Sequence, residues 1–167
     1  MNTASKLSLT LVALMAVGVS SAQAQASAQI NATATVQTPL SLTGVNPLAF
    51  GNVFPGLTKT ILPTDATAGK FSIAGQASAE VNITFTLPTN LVSGANNLPI
   101  GTWTGGRNIA DVQAGQTALT PTAATITPLS GTGGLFIWLG ATVTPAVAQV
   151  AGAYSSPVTM TVAYTGN

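Results

Sequence analysis

Three carboxylates, four basic side chains and a scatter of serines and aromatics are all that this 167-residue chain offers for chemistry. Histidine is absent, which removes the usual acid–base residue and the commonest metal ligand. Cysteine is absent too, so there is no thiolate nucleophile, no disulfide and no zinc–thiolate site. Serine catalysis would then have to rest on a Ser–Lys pair. Neither Lys59 nor Lys70 stands in a Ser-x-x-Lys arrangement, and Ser72, two residues after Lys70, shares only its strand face. Asp65, Glu80 and Asp111 lie far apart in sequence, which argues against both a glycosidase carboxylate pair and a calcium loop. The expectation is a protein with no catalytic residues, no cofactor and no metal.

Four further features invite a functional reading. Gly131-Thr132-Gly133-Gly134 has the composition of a phosphate loop, but such a loop follows a strand and opens a helix, whereas here a strand pattern comes next. It reads as a turn. Trp103 beside Gly105, Gly106 and Arg107 could form a stacking platform for a sugar, or Trp103 could plug one end of a sandwich. Tyr154, in Ala151-Gly152-Ala153-Tyr154, suits a tyrosine corner whose hydroxyl satisfies a backbone group. Asn31-Ala32-Thr33 and Asn82-Ile83-Thr84 match the glycosylation pattern but fall on expected strands.

Charged residues make up 4% of the chain, against roughly 25% in ordinary soluble domains. Thr, Ser, Asn, Gln, Gly and Ala take their place, and the helix formers Glu, Lys and Arg are nearly missing. This is an all-β composition. With so few cations the chain has no basic face for phosphates, which excludes nucleic-acid binding.

Residues 1–24 have the form of a secretory signal peptide. Lys6 is followed by an apolar stretch from Leu7 to Val19, then by Ala22-Gln23-Ala24, with Ala24-Gln25-Ala26 as a second cleavage candidate. The apolar core is too short to span a bilayer, so no membrane span is expected in the mature chain. Cleavage would leave Lys59, Lys70 and Arg107 against Asp65, Glu80 and Asp111, and three minus three is a net charge of zero.

Residues 25–39 form an N-terminal segment with clean alternation: Ala26, Ala28, Ile30, Ala32, Ala34 and Val36 on one face, polar residues on the other. Pro39 interrupts it, and residues 40–167 form the expected sandwich. Short strands are expected at Leu48–Phe54 and Leu57–Leu62, a further one from Phe71, and a well-patterned one across Val81, Ile83, Phe85 and Leu87. From Pro88 to Gly134 the signal weakens to two or three short strands. Leu135–Leu139 reads as a strand covered on both faces or as a central strand of a sandwich. Val158, Met160, Val162 and Tyr164 alternate with Thr and Ala, which predicts a last strand in the body of a sheet. The expected fold is an immunoglobulin-like Greek-key β-sandwich of about seven to nine strands. Its core should hold Phe50, Ile73, Val81, Ile83, Phe85, Phe136, Trp138, Val158, Met160 and Val162.

Two groups of residues carry a family likeness. The first is Leu48-x-Phe50-Gly51-x-Val53, then Phe71-x-Ile73-x-Gly75 and Val81-x-Ile83-x-Phe85. The second is Leu139-Gly140-Ala141, Ala151-Gly152-x-Tyr154 and Val158-x-Met160-x-Val162-x-Tyr164. Over roughly Ala32 to Tyr164 they resemble the secreted bacterial family known as domain of unknown function 4402, which looks related to spore-coat-protein-U-like and chaperone–usher fimbrial subunits. The resemblance implies an exported structural protein of a pilus, fimbria or coat, a role in cell adhesion, and no enzyme activity. Its implied partners are copies of itself or related subunits, with a periplasmic chaperone and an outer-membrane usher. Residues 25–39 would be either the domain's own first strand or a strand given to a neighbour, with Ile30, Ala32, Ala34 and Val36 facing the groove. The alternative is a monomeric secreted binding module for carbohydrate or a surface ligand, using Trp103 and Arg107.

Overall fold

A run of ten residues from Gly134 to Val143 forms the strand on which the others are laid. A computed structural model describes residues 25–166; the expected signal peptide lies outside the described residues. Ten strands are present among them: β1 Ser41–Asn46, β2 Lys59–Ile61, β3 Gly69–Ala74, β4 Glu80–Thr86, β5 Asn90–Ser93, β6 Asn96–Asn108, β7 Thr117–Leu119, β8 Thr125–Pro128, β9 Gly134–Val143 and β10 Thr159–Tyr164. They form an all-β sandwich without helix among the described residues. The larger sheet has the order β1-β3-β9-β6-β5, with β2 also pairing β9 and β7 pairing β6. The smaller is β10-β4-β8.

The central place of β9 follows from its sequence. Leu135, Ile137 and Leu139 face the inter-sheet core, and Trp138 is buried on the opposite face. A strand apolar on both faces can only sit where both are covered. Its antiparallel register sets Ile137 opposite Phe71 and Leu135 opposite Ile73. In the smaller sheet β4 alternates as its sequence demands: Val81 and Ile83 are fully buried, with Met160 and Val162 beside them on β10. Of the expected core, Phe50, Ile73, Val81, Ile83, Trp138 and Met160 are buried, while Phe85, Phe136, Val158 and Val162 are partly buried.

The structure departs from the sequence reading in four places. Gln25–Leu40 forms no strand, although its alternation is the cleanest in the chain, and Leu48–Phe54 is loop ending in the turn at Pro55-Gly56. Pro88–Gly134 holds a 13-residue strand, β6, where only short ones were expected. Finally, β10 is an edge strand of the smaller sheet, not a strand in the body of one. Alternation reports that one face is buried; it is silent on whether both backbone edges are paired.

The chain divides into two units, Met1–Thr35 and Val36–Asn167. Within the first, the described residues from Gln25 onward are exposed and without strand, Ile30 being 96% exposed. The sandwich belongs to the second.

Candidate functional site

Two of the four strands at the ends of the sheet orders, β1 and β10, are each hydrogen-bonded on one side only among the described residues. They flank the same opening. Leu40, just before β1, and Tyr164, the last residue of β10, both pack against Gly75, where any side chain would collide with them. At the other end, Gly44–Asn46 of β1 and Tyr154–Val158, which lead into β10, line one cavity of about 840 Å³. The strands therefore run antiparallel to each other along the two lips of a gap.

The cavity is an apolar space that the chain does not fill. Its floor is the inner face of the larger sheet, from Phe71 on β3 through Leu139 and Val143 on β9 to Ile100 on β6 and Leu91 on β5. Leu48, Phe50 and Val53 close one side, and no charged residue lines it. β1 is correspondingly under-buried, whereas β10 keeps Met160 buried and Val162 and Tyr164 half-buried on its inner face. All six residues of β1 are exposed, including Leu42 at 37% and Val45 at 45%, although both are apolar. A strand lying over a finished core would have one face covered.

Two tyrosines fix the ends of this gap. The Tyr164 hydroxyl accepts the Gln76 N–H and donates to the Thr38 carbonyl, both at 2.6 Å. The Tyr154 hydroxyl donates to the Val150 carbonyl at 2.7 Å and accepts from the Gln149 amide at 2.8 Å. The bond to the Val150 carbonyl, four residues back along the chain, is the corner expected of Tyr154. Two backbone hydrogen bonds of 3.0 Å between Val92 and Ser155 then tie this segment to β5.

Trp103 and Arg107 do not come together on a platform. Trp103 lines the apolar cavity, next to a bulge between Gly101 and Thr104 where Thr102 has φ +47°. Arg107 reaches the smaller sheet instead, donating to the hydroxyl of the buried Thr127 on β8 at 2.6 Å. The bulge shifts the register between the two residues, which the spacing in sequence does not reveal. Ile30, Ala32, Ala34 and Val36 are all exposed and outside any strand.

The charged residues are spent singly. Lys70 pairs with Asp111, its ammonium 5.5 Å from the centres of both the Phe136 and Trp138 rings. Asp65 accepts the Leu62 N–H, Lys59 donates to the Asn52 carbonyl, and Glu80 accepts from the Thr165 hydroxyl. Among the described residues no three carboxylates gather in a cluster. The Gly131–Gly134 segment is the turn into β9, with Gly133 at φ +84° and packed so closely on the Gly75 carbonyl that a Cβ could not be accommodated. Among the described residues no helix is long and apolar enough to cross a membrane. The gap between β1 and β10 had no counterpart in the candidate residues read from the sequence; the nearest signal was the apolar alternation of β10 itself.

No protein-family model matches the chain, and no characterised protein matches it either.

Proposed function

We propose that this chain is an exported structural subunit of a bacterial surface appendage or coat, joined to its neighbours by β-strand addition. One observation carries the reading: the one-sided strand β1 and the segment Tyr154–Val158 leading into the one-sided strand β10 border an unfilled, largely apolar cavity inside an otherwise packed sandwich. An extended segment laid along that gap would pair its backbone with a free edge and send alternate side chains into the cavity. The edge itself invites this. Thr159-Met160-Thr161-Val162-Ala163-Tyr164 has neither charge nor proline, the usual guards of an exposed edge strand. The export-like N-terminus, the near-uncharged surface and the likeness to fimbrial subunits support the same role. The exposed, alternating Gln25–Gln37 segment has the form of the strand such a subunit donates onward.

The test is the state of the chain in the envelope of the bacterium that makes it. A tagged chain should isolate as a ladder of masses that survives dilution. Deleting Gln25–Gln37 should leave cooperative unfolding intact but remove the ladder. A chain that isolates as a lone monomer and binds glycans in a Trp103-dependent way would replace this reading with that of a carbohydrate-binding module.

A further inference from the structure

The cavity beside β1 runs deeper than an added strand can fill. From β1 it passes under β3, β9 and β6 to β5, four inter-strand spacings in the sheet order β1-β3-β9-β6-β5. At about 4.8 Å each that is about 19 Å. A side chain on a strand paired to β1 is too short to pass β3. The far part, walled by Leu91, Leu98, Ile100, Trp103, Leu139 and Val143, is left open whatever joins the edge. What occupies it is therefore independent of strand addition.

The wall selects an apolar occupant. Among the described residues its polar side chains are Asn46, Asn52, Tyr154, Ser155 and Ser156, and only Tyr154 and Ser156 are half-buried, the rest being exposed. Both of these are already engaged. The Tyr154 hydroxyl holds Gln149 and the Val150 carbonyl, and Ser156 Oγ donates to the Asn90 carbonyl at 2.7 Å. A sugar must exchange its hydrogen bonds with water for bonds to protein, and this wall has few to give. An apolar guest needs none. The volume of about 840 Å³ falls within the range of about 300–1,000 Å³ typical of small-ligand sites.

One rim of the cavity carries a cation. Lys59 stands opposite Val143 in the β2–β9 ladder, and directly opposed residues of an antiparallel pair share a face. Val143 lines the cavity, so the Lys59 side chain lies on the cavity's face of the sheet. Its ammonium donates to the Asn52 carbonyl at 3.2 Å, and a Cβ on Gly51 would stand 3.8 Å from it. Gly51 and Asn52 both line the cavity. Among the described residues Lys70 and Asp111 form the one salt bridge, and Lys59 has no carboxylate partner. An apolar chamber with a cation at its rim is complementary to a molecule with an apolar tail and an anionic end.

We propose that the cavity binds a long-chain fatty acid, its acyl chain in the far part beneath β9 and β6 and its carboxylate accepting a hydrogen bond from Lys59 Nζ beside Gly51 and Asn52.

The test is a titration of residues 25–167, stripped of lipid, with palmitate and with 1-hexadecanol, each below its aggregation limit. Palmitate should saturate at one per chain and blue-shift a tryptophan emission component that Trp103→Phe removes. Hexadecanol has the same tail without the charge, and should bind about tenfold more weakly for want of a charge-assisted hydrogen bond. Lys59→Met should lower palmitate to the affinity of hexadecanol and leave hexadecanol unchanged. Absence of saturable palmitate binding would overturn the proposal. So would equal affinities for palmitate and hexadecanol in the native chain, a comparison that needs no variant to fold. Binding to vesicles of phosphatidylethanolamine and phosphatidylglycerol without uptake of free palmitate would also overturn it, because the lipid contact would then be with a bilayer surface. None of these outcomes bears on strand addition, which the ladder of masses tests separately.

Discussion

The two long sides of the sandwich are finished differently. On the side of β6, β7 and β8 the chain closes itself. Leu119 on β7 is buried in the inter-sheet core, and Leu119 and Pro121 both lie against Gly105, where a larger residue would collide with them. Arg107 then bridges the sheets to Thr127. The edge strand there, β8, has four residues and ends in Pro128, which cannot donate to an added strand. On the side of β1 and β10 the edges are six residues each, free of charge and proline, and the cavity beside β1 and the segment entering β10 is largely apolar and unfilled. An inward-reaching cation and a proline are the means by which sheets refuse further strands. Their presence on one side and absence from the other makes the open side a property of the sequence placed there, not of a small core.

The largest effect on this contrast should come from the closed side. Leu119→Ala removes a buried side chain that the surrounding sheet cannot replace, and a loss of about 2–5 kcal/mol is expected. Val45→Ala, on the open lip, should cost less than about 0.5 kcal/mol, because Val45 is already 45% exposed. Urea denaturation of the two variants measures the difference. Equal costs would mean that the open side is as well packed as the closed one.

Arg107→Ala comes next. It strips the buried Thr127 hydroxyl of its partner, worth about 1–3 kcal/mol, and also removes the cation that obstructs the β8 side. Arg107→Met should recover part of that stability by restoring apolar contact along the half-buried Arg107 stem, which packs through its methylenes as well as its charge. Both variants should associate more readily than the native chain in sedimentation velocity. A variant that stays as dispersed as the native chain would show that Arg107 guards nothing.

These sides also mark where the sequence could be read and where it could not. β4 and β9 were legible because their side chains alone decide which faces are buried. β6 was not: its inward positions include Gly105, and the apolar atoms over that glycine belong to Leu119 and Pro121, some fifteen residues away. The edge position of β10 was illegible for another reason. Its alternation would be identical with a partner on each side, because backbone edges leave no trace in side-chain periodicity. Gln25–Gln37 shows the converse, a strand-like pattern whose described residues have no strand to join. The cavity itself arises from residues spread between Gly44 and Val158, a set that only the fold assembles.

Tyr164→Phe probes the point where the open side is stapled. The hydroxyl links the end of β10 to the Thr38 carbonyl and the Gln76 N–H, so its removal leaves a partly buried donor unpaired. A cost of about 1–2 kcal/mol is expected, with the thermal transition still cooperative. Hydrogen exchange should quicken at Gln76 and leave β9 amides unchanged. Faster exchange throughout β9 would mean that the staple supports the whole core and not one end of the gap.

The smallest effect should be the deletion of Gln25–Gln37. Every residue in it is exposed and none belongs to a strand, so the folded state loses no burial and no ladder hydrogen bonds. Removing such a segment should shift unfolding by no more than about 0.5 kcal/mol, the ordinary range for surface changes. The contrast with Leu119→Ala is then sharp: the thirteen residues Gln25–Gln37 weigh less than one leucine on the closed side. The measurement is the denaturation midpoint of residues 25–167 with and without the segment, at low concentration where association is absent. A loss of the cooperative transition would show that the segment is the domain's own first strand, lying in the gap between β1 and β10. The open side would then be closed in the native protein, and the difference between the two sides would disappear.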